Sequence, residues 1–99
     1  MGMGNLYSYH NKSDLYRFLR EQKQALDADF ANLNGISSLI ELRYHEMNSL
    51  GKSDPADRKR RQELYDEIQR LRQDKNSIKD SIANHKSAIE DIKRALNSP

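Results

Sequence analysis

Fifteen acidic side chains, seventeen basic ones and three histidines supply most of the reactive groups in this sequence, and their spacing decides what they can do. His10, His45 and His85 are too scattered to form a local ligand set, and no Gly-rich phosphate loop or nucleophile motif accompanies them. The carboxylates are spread along the chain, so none is marked as half of a general acid–base pair. With no Cys there is neither a thiolate metal site nor a disulfide framework. The sequence therefore predicts no catalysis, no metal, no cofactor and no small-molecule substrate.

One charge cluster stands out. Arg58-Lys59-Arg60-Arg61, with Lys52 nearby, is the densest run, and four successive cations near a helix start oppose the macrodipole, which favours anions there. Such a tip suits a phosphate or an acidic partner, and nucleic-acid binding is the alternative it supports. Against this, Glu46, Asp54, Asp57 and Glu63 can balance it as a solvated surface. No repeated basic face or aromatic platform accompanies the run, and a net charge of +2 does not by itself argue for nucleic acid.

The elements that position these groups are helical. A chain of 99 residues that is 35% hydrophobic and 32% charged cannot build a thick core, but it can bury one stripe per helix. Steps of four and three residues land on Leu15, Leu19, Gln22, Leu26, Asp29, Leu33, Ile36, Ile40, Arg43, Met47 and Leu50, and eight of these eleven are apolar. That spacing predicts a coiled-coil helix over 13–50 that passes straight through Gly35, with Ser13 as its N-cap. Arg61, Leu64, Ile68, Leu71, Lys75, Ile78, Ile82, His85, Ile89, Ile92 and Leu96 continue the pattern in a second helix over 55–97, again with eight of eleven apolar. Between them lies a turn at 51–54: Gly51 suits a left-handed C′ position, Asp54 an N-cap and Pro55 the first helical turn. Residues 1–12 show no helical period and are expected to be a flexible segment. Met1-Gly2-Met3-Gly4-Asn5-Leu6 begins like a myristoylation signal but has Leu6 where Ser or Thr is required. No apolar run approaches a membrane span, so the cytoplasm is the default compartment.

The expected fold is thus all-α: an antiparallel two-helix coiled-coil hairpin completing a helical bundle with another chain. Of the registers the two stripes allow, one leaves no residues for the turn and another unwinds Asp54-Pro55. The remaining one leaves about six residues for the turn. It levels Gln22 with His85 and Lys75 with Leu33, placing Asp29 within reach of Lys75. The basic row Arg72, Lys79, Lys86 and Lys93 flanks the second stripe, and a parallel self-paired coiled coil stays open as an alternative because Glu67 and Asp74 could meet that row in a partner.

The first helix carries more apolar residues than one seam needs. Tyr16, Phe18, Phe30, Leu39, Leu42 and Tyr44 lie off its stripe, with Tyr65 off the second and Leu6, Tyr7 and Tyr9 near enough in sequence to cover some of them. A second apolar face points to helix packing, making those six residues the candidate partner-binding set. The function expected is a non-catalytic protein–protein interaction module, an adaptor, chaperone or assembly subunit, whose partner is a second copy or a heterologous helical protein. In length and hairpin plan the chain also resembles the small helical-hairpin proteins of WxG-type secretion systems, which implies export as cargo or service as its accessory. It departs from their pattern: Leu50-Gly51-Lys52-Ser53-Asp54-Pro55 holds no Trp, and no Tyr-x-x-x-Asp/Glu signal follows the second helix.

Overall fold

The structure, a computed structural model, describes residues 5–98. Those residues form a 3-10 turn at Leu6–Tyr9 and two helices, α1 at Lys12–Ser49 and α2 at Pro55–Asn97, with no strand among them. The helices pack against each other as an antiparallel hairpin. The myristoylation-like start, Met1 to Gly4, lies outside the described residues.

The helix ends are fixed by side chains that meet orphan backbone donors. Asn11, not Ser13, starts α1: its side-chain oxygen accepts from Asp14 N–H at 2.8 Å and its carbonyl from Leu15 N–H at 3.0 Å. Ser13 is the second residue of the helix, and Asn11 wins because Asn is at least as good a cap and adds Lys12 and Ser13 to the helix. At the other end of the hairpin Asp54 caps α2, accepting from Ala56 N–H at 2.9 Å, with Pro55 as the first helical residue.

The turn itself closes differently from the sequence expectation. No described glycine has a positive φ, so Gly51 is not a left-handed C′ residue. Its N–H instead donates to the Asp57 carboxylate at 2.9 Å. A Cβ at Gly51 would come within 3.1 Å of that carboxylate oxygen, so the position wants glycine for room rather than for conformation.

Residues before the first helix are tied down in part. Asn5 accepts from Tyr7 N–H at 2.9 Å through its side chain, while its amide donates across to the Asp91 carbonyl at 2.5 Å. The sequence expectation of a featureless segment missed this turn because its anchor, Asp91, is 86 residues away.

Contacts divide the chain into two compact units. One joins the residues up to Phe30 with those from Asp80 onward; the other is Ala31–Lys79. The first, the terminal unit, buries Leu15 from α1 and Ile82, Ile89 and Ile92 from α2. The second, the turn unit, buries Ile40 from α1 with Leu64 and Ile68 from α2. In both, α2 supplies more of the fully enclosed side chains than α1 does.

Gly35 sits inside α1, in the turn unit, and α1 runs through it without a break. Nothing lies within 4 Å of where a Cβ at Gly35 would be, so its smallness serves no close backbone approach. Glycine here carries only the entropic cost of a helix interior. Gly35→Ala is therefore expected to stabilise the chain by about 1 kcal/mol, raising the thermal midpoint by a few degrees in a circular-dichroism melt. A lower midpoint would show that the bare backbone is needed at that position.

Candidate functional site

The polar residues that interrupt the two apolar stripes are the first groups to test for chemistry, because the hairpin brings several of them together. In the terminal unit Gln22 and His85 meet as the register requires, with Gln22 Oε1 2.7 Å from His85 Nδ1. His85 Nε2 lies 3.5 Å from the Asp29 carboxylate, which also accepts a 2.5 Å hydrogen bond from Ser81 Oγ. A serine, a histidine and an aspartate thus share one spot, but not as a nucleophile and its base. Ser81 gives its proton to Asp29 and not to the imidazole, so His85 is not placed to activate it. The cluster is a polar layer in the seam, each member satisfied by another.

The other interruptions follow the same rule. Arg43 Nε donates to Glu67 at 2.8 Å in the turn unit, and Arg61 Nη1 donates to the Met47 carbonyl at 2.6 Å. Among the described residues no buried side-chain nitrogen or oxygen lacks a hydrogen-bond partner. Asp29, expected to serve Lys75, is engaged by Ser81 and His85 inside the terminal unit. Levelling residues one to one does not reveal this bond, because Ser81 flanks the seam rather than lying in it.

The six partner-binding candidates separate into covered and open side chains. Phe18 is half-buried: Tyr7 packs on it at 6.0 Å between ring centroids, His10 meets it edge-on at 4.9 Å, and the Arg17 guanidinium lies 5.1 Å from its centre. Phe30 in the terminal unit carries the Lys86 ammonium 5.5 Å above its ring. Tyr44 in the turn unit carries the Arg72 guanidinium 5.5 Å above its ring and accepts a hydrogen bond from it. So members of the basic row on α2 lie over aromatics of α1, a cation–π pairing within the hairpin. Leu39 is half-buried. Tyr16 and Leu42 remain open, 56% and 60% exposed, and Leu6 and Tyr9 stand further out still.

The basic run also divides. Arg60 turns to Glu46 at 2.8 Å and Glu63 at 3.4 Å, and these hydrogen bonds and charges hold its guanidinium pKa above the ordinary arginine value. Arg58 and Arg61, three residues apart on one face of α2, line a pocket with Lys52, Met47, Gln62 and Tyr65. Lys59 is exposed and is not part of that lining. Tyr65 is the aromatic that the sequence reading did not connect to the run: it lies seven residues past Arg58, two turns along the same helix face.

Among the described residues no group of three or more His, Asp or Glu is placed to hold a metal ion, and no helix is long and apolar enough to cross a membrane. No protein-family model matches the chain, and neither a curated protein nor a solved structure is significantly similar to it.

The Arg43–Glu67 pair gives a pH test. The Arg43 hydrogen bond and charge hold the Glu67 carboxyl below the ordinary value of 4.5, against an opposing desolvation effect. A carboxyl whose folded-state pKa is depressed adds stability above its unfolded-state pKa and loses it as pH falls through the folded value. The thermal midpoint of Glu67→Gln should therefore lie below that of the unsubstituted chain at neutral pH. The gap should close below pH 4.5. A gap constant with pH would mean that the pair contributes only packing.

Proposed function

We propose that this chain is a non-catalytic helical interaction module, an adaptor, chaperone or assembly subunit, that completes its burial against the helices of a second copy of itself. The observation that carries the reading is the imbalance between its two helices. The helix richer in off-stripe apolar residues, α1, encloses only Leu15 and Ile40, whereas α2 encloses Leu64, Ile68, Ile82, Ile89 and Ile92. At the same time α1 holds Tyr16 and Leu42 more than half exposed.

Seven buried apolar side chains among the described residues, three of them fully hidden, are a small amount of core. Small helical scaffolds gain the rest of their stability from staples or from association, and this chain has no Cys for a staple. A second copy is always present at the chain's own concentration, so self-association supplies that burial without a further gene product. The satisfied polar layers support an assembly role as well, since seam residues that pair specifically fix one register and one orientation.

Tyr16 and Leu42 are the residues to change, because they are open and their loss leaves the seam intact. Light scattering across a concentration series should show a dimer for the unsubstituted chain. Tyr16→Ser with Leu42→Ser should give monomers whose far-ultraviolet circular dichroism still reports two long helices. A monomeric unsubstituted chain with a full helix signal would overturn self-association. Unfolding on substitution would return both residues to the core.

A further inference from the structure

A pocket at the start of α2 combines clustered cations with an exposed aromatic ring. Three cations line it, Lys52 from the turn and Arg58 and Arg61 from α2, and no acidic residue does. The acids of the turn unit nearest to it in sequence are occupied elsewhere. Asp54 accepts from Ala56 N–H, Asp57 from Gly51 N–H, and Glu46 and Glu63 hold Arg60. Gln62 donates to Asp66 at 3.0 Å, which takes up that carboxylate too. Among the described residues neither Lys52 nor Arg58 has an ion pair. Arg61 is held in place by the Met47 carbonyl at one of its nitrogens, leaving further guanidinium N–H groups for a ligand.

Beside Gln62, the remaining lining is Met47 and Tyr65. Met47 and the Tyr65 ring, which is 52% exposed, give a planar group something to lie against. The pocket measures about 360 Å³, within the range of small-ligand sites, and is shallow and widely open to solvent. An acidic peptide would use the cations but has no need of the Tyr65–Met47 wall. Duplex nucleic acid would keep its bases stacked and inaccessible to it.

We propose that this pocket binds a nucleotide, its phosphate between Lys52, Arg58 and Arg61 and its base against Tyr65 and Met47. The nucleotide comes either from a single strand threading the open side or from solution as a free mononucleotide. This site is separate from the exposed residues Tyr16 and Leu42 and does not depend on the self-association proposed above.

The test is fluorescence anisotropy of a short labelled oligothymidylate with the full-length chain, with unlabelled thymidine monophosphate as competitor. Arg58→Gln and Lys52→Gln should each weaken binding, and the logarithm of affinity should fall with the logarithm of salt at a slope of about −0.7, as one neutralised phosphate on a single strand gives. Tyr65→Ala should lower affinity roughly tenfold or more, the effect of losing one base–aromatic stack. Lys59→Gln should leave affinity nearly unchanged, because Lys59 lies off the pocket.

Binding that is tight for the oligonucleotide and weak for the monophosphate assigns the single strand. Comparable affinity for the two assigns the free nucleotide. Equal losses from Lys59→Gln and Arg58→Gln would overturn the proposal by showing unspecific charge attraction. So would an unaffected Tyr65→Ala, an equal affinity for a labelled polyglutamate peptide, or no binding of either nucleotide probe. All four side chains line the surface, and an unchanged circular-dichroism spectrum verifies that each variant is folded.

Discussion

Two helices side by side share a single line of contact, and every other feature of this chain depends on how little that line can bury. Leu, Ile and Met at three- and four-residue spacing provide the seam. Only seven apolar side chains among the described residues are buried, four in the terminal unit and three in the turn unit. Three of them, Leu64, Ile68 and Ile92, are completely hidden, and all three belong to α2. A thin seam tolerates polar residues because water is never far away, but it rewards them only when each finds a partner. Gln22 with His85, Asp29 with Ser81 and Arg43 with Glu67 meet that condition. Their net contribution to stability is small by the usual measure of such pairs, while their contribution to register is large, since a slip of one heptad would strand all of them at once.

The flanks of the seam do a second job. A row of cations along α2 would repel a like row, and in this fold Lys86 and Arg72 of that row lie over the rings of Phe30 and Tyr44. The long aliphatic stems of such side chains cover apolar surface while their charges stay in water. That arrangement widens the contact beyond the stripe and explains how a helix with so many aromatics stays compatible with a charged neighbour. It also narrows the surface left over for association to the side chains that have no such cover.

Much of this was legible in the residues. Unbroken stepping from Leu15 to Leu50 and from Arg61 to Leu96 identified two helices, and Asp54-Pro55 located the start of the second. Pairing the two stripes under the constraint of a short turn was enough to bring Gln22 level with His85, which the structure places in contact. What spacing could not supply were the interactions made by side chains off the stripe. Phe30 and Tyr44 read as spare surface because nothing in α1 alone reveals that Lys86 and Arg72 arrive over them. The partners of Ser81 and Tyr65 are hidden for the same reason, each belonging to a cluster that is assembled only when the second helix folds back. The caps failed differently: Asn11 and Ser13 are both good N-caps, and Gly51 both a good C′ residue and a small one, so residue type left two answers open at each. The Leu6–Tyr9 turn was illegible because its anchor is the Asp91 carbonyl, a backbone group that every residue carries.

The central claim is that one seam does not suffice and that a second copy of the chain supplies the missing burial. Thermal unfolding followed by circular dichroism at chain concentrations from low micromolar to near millimolar tests it most directly, because a folded state held together by association gains stability by mass action while a self-sufficient one does not. The account predicts a midpoint that climbs steadily with concentration. A midpoint that stays fixed across the whole range, with the helix signal intact below it, would contradict the account and make the hairpin complete on its own.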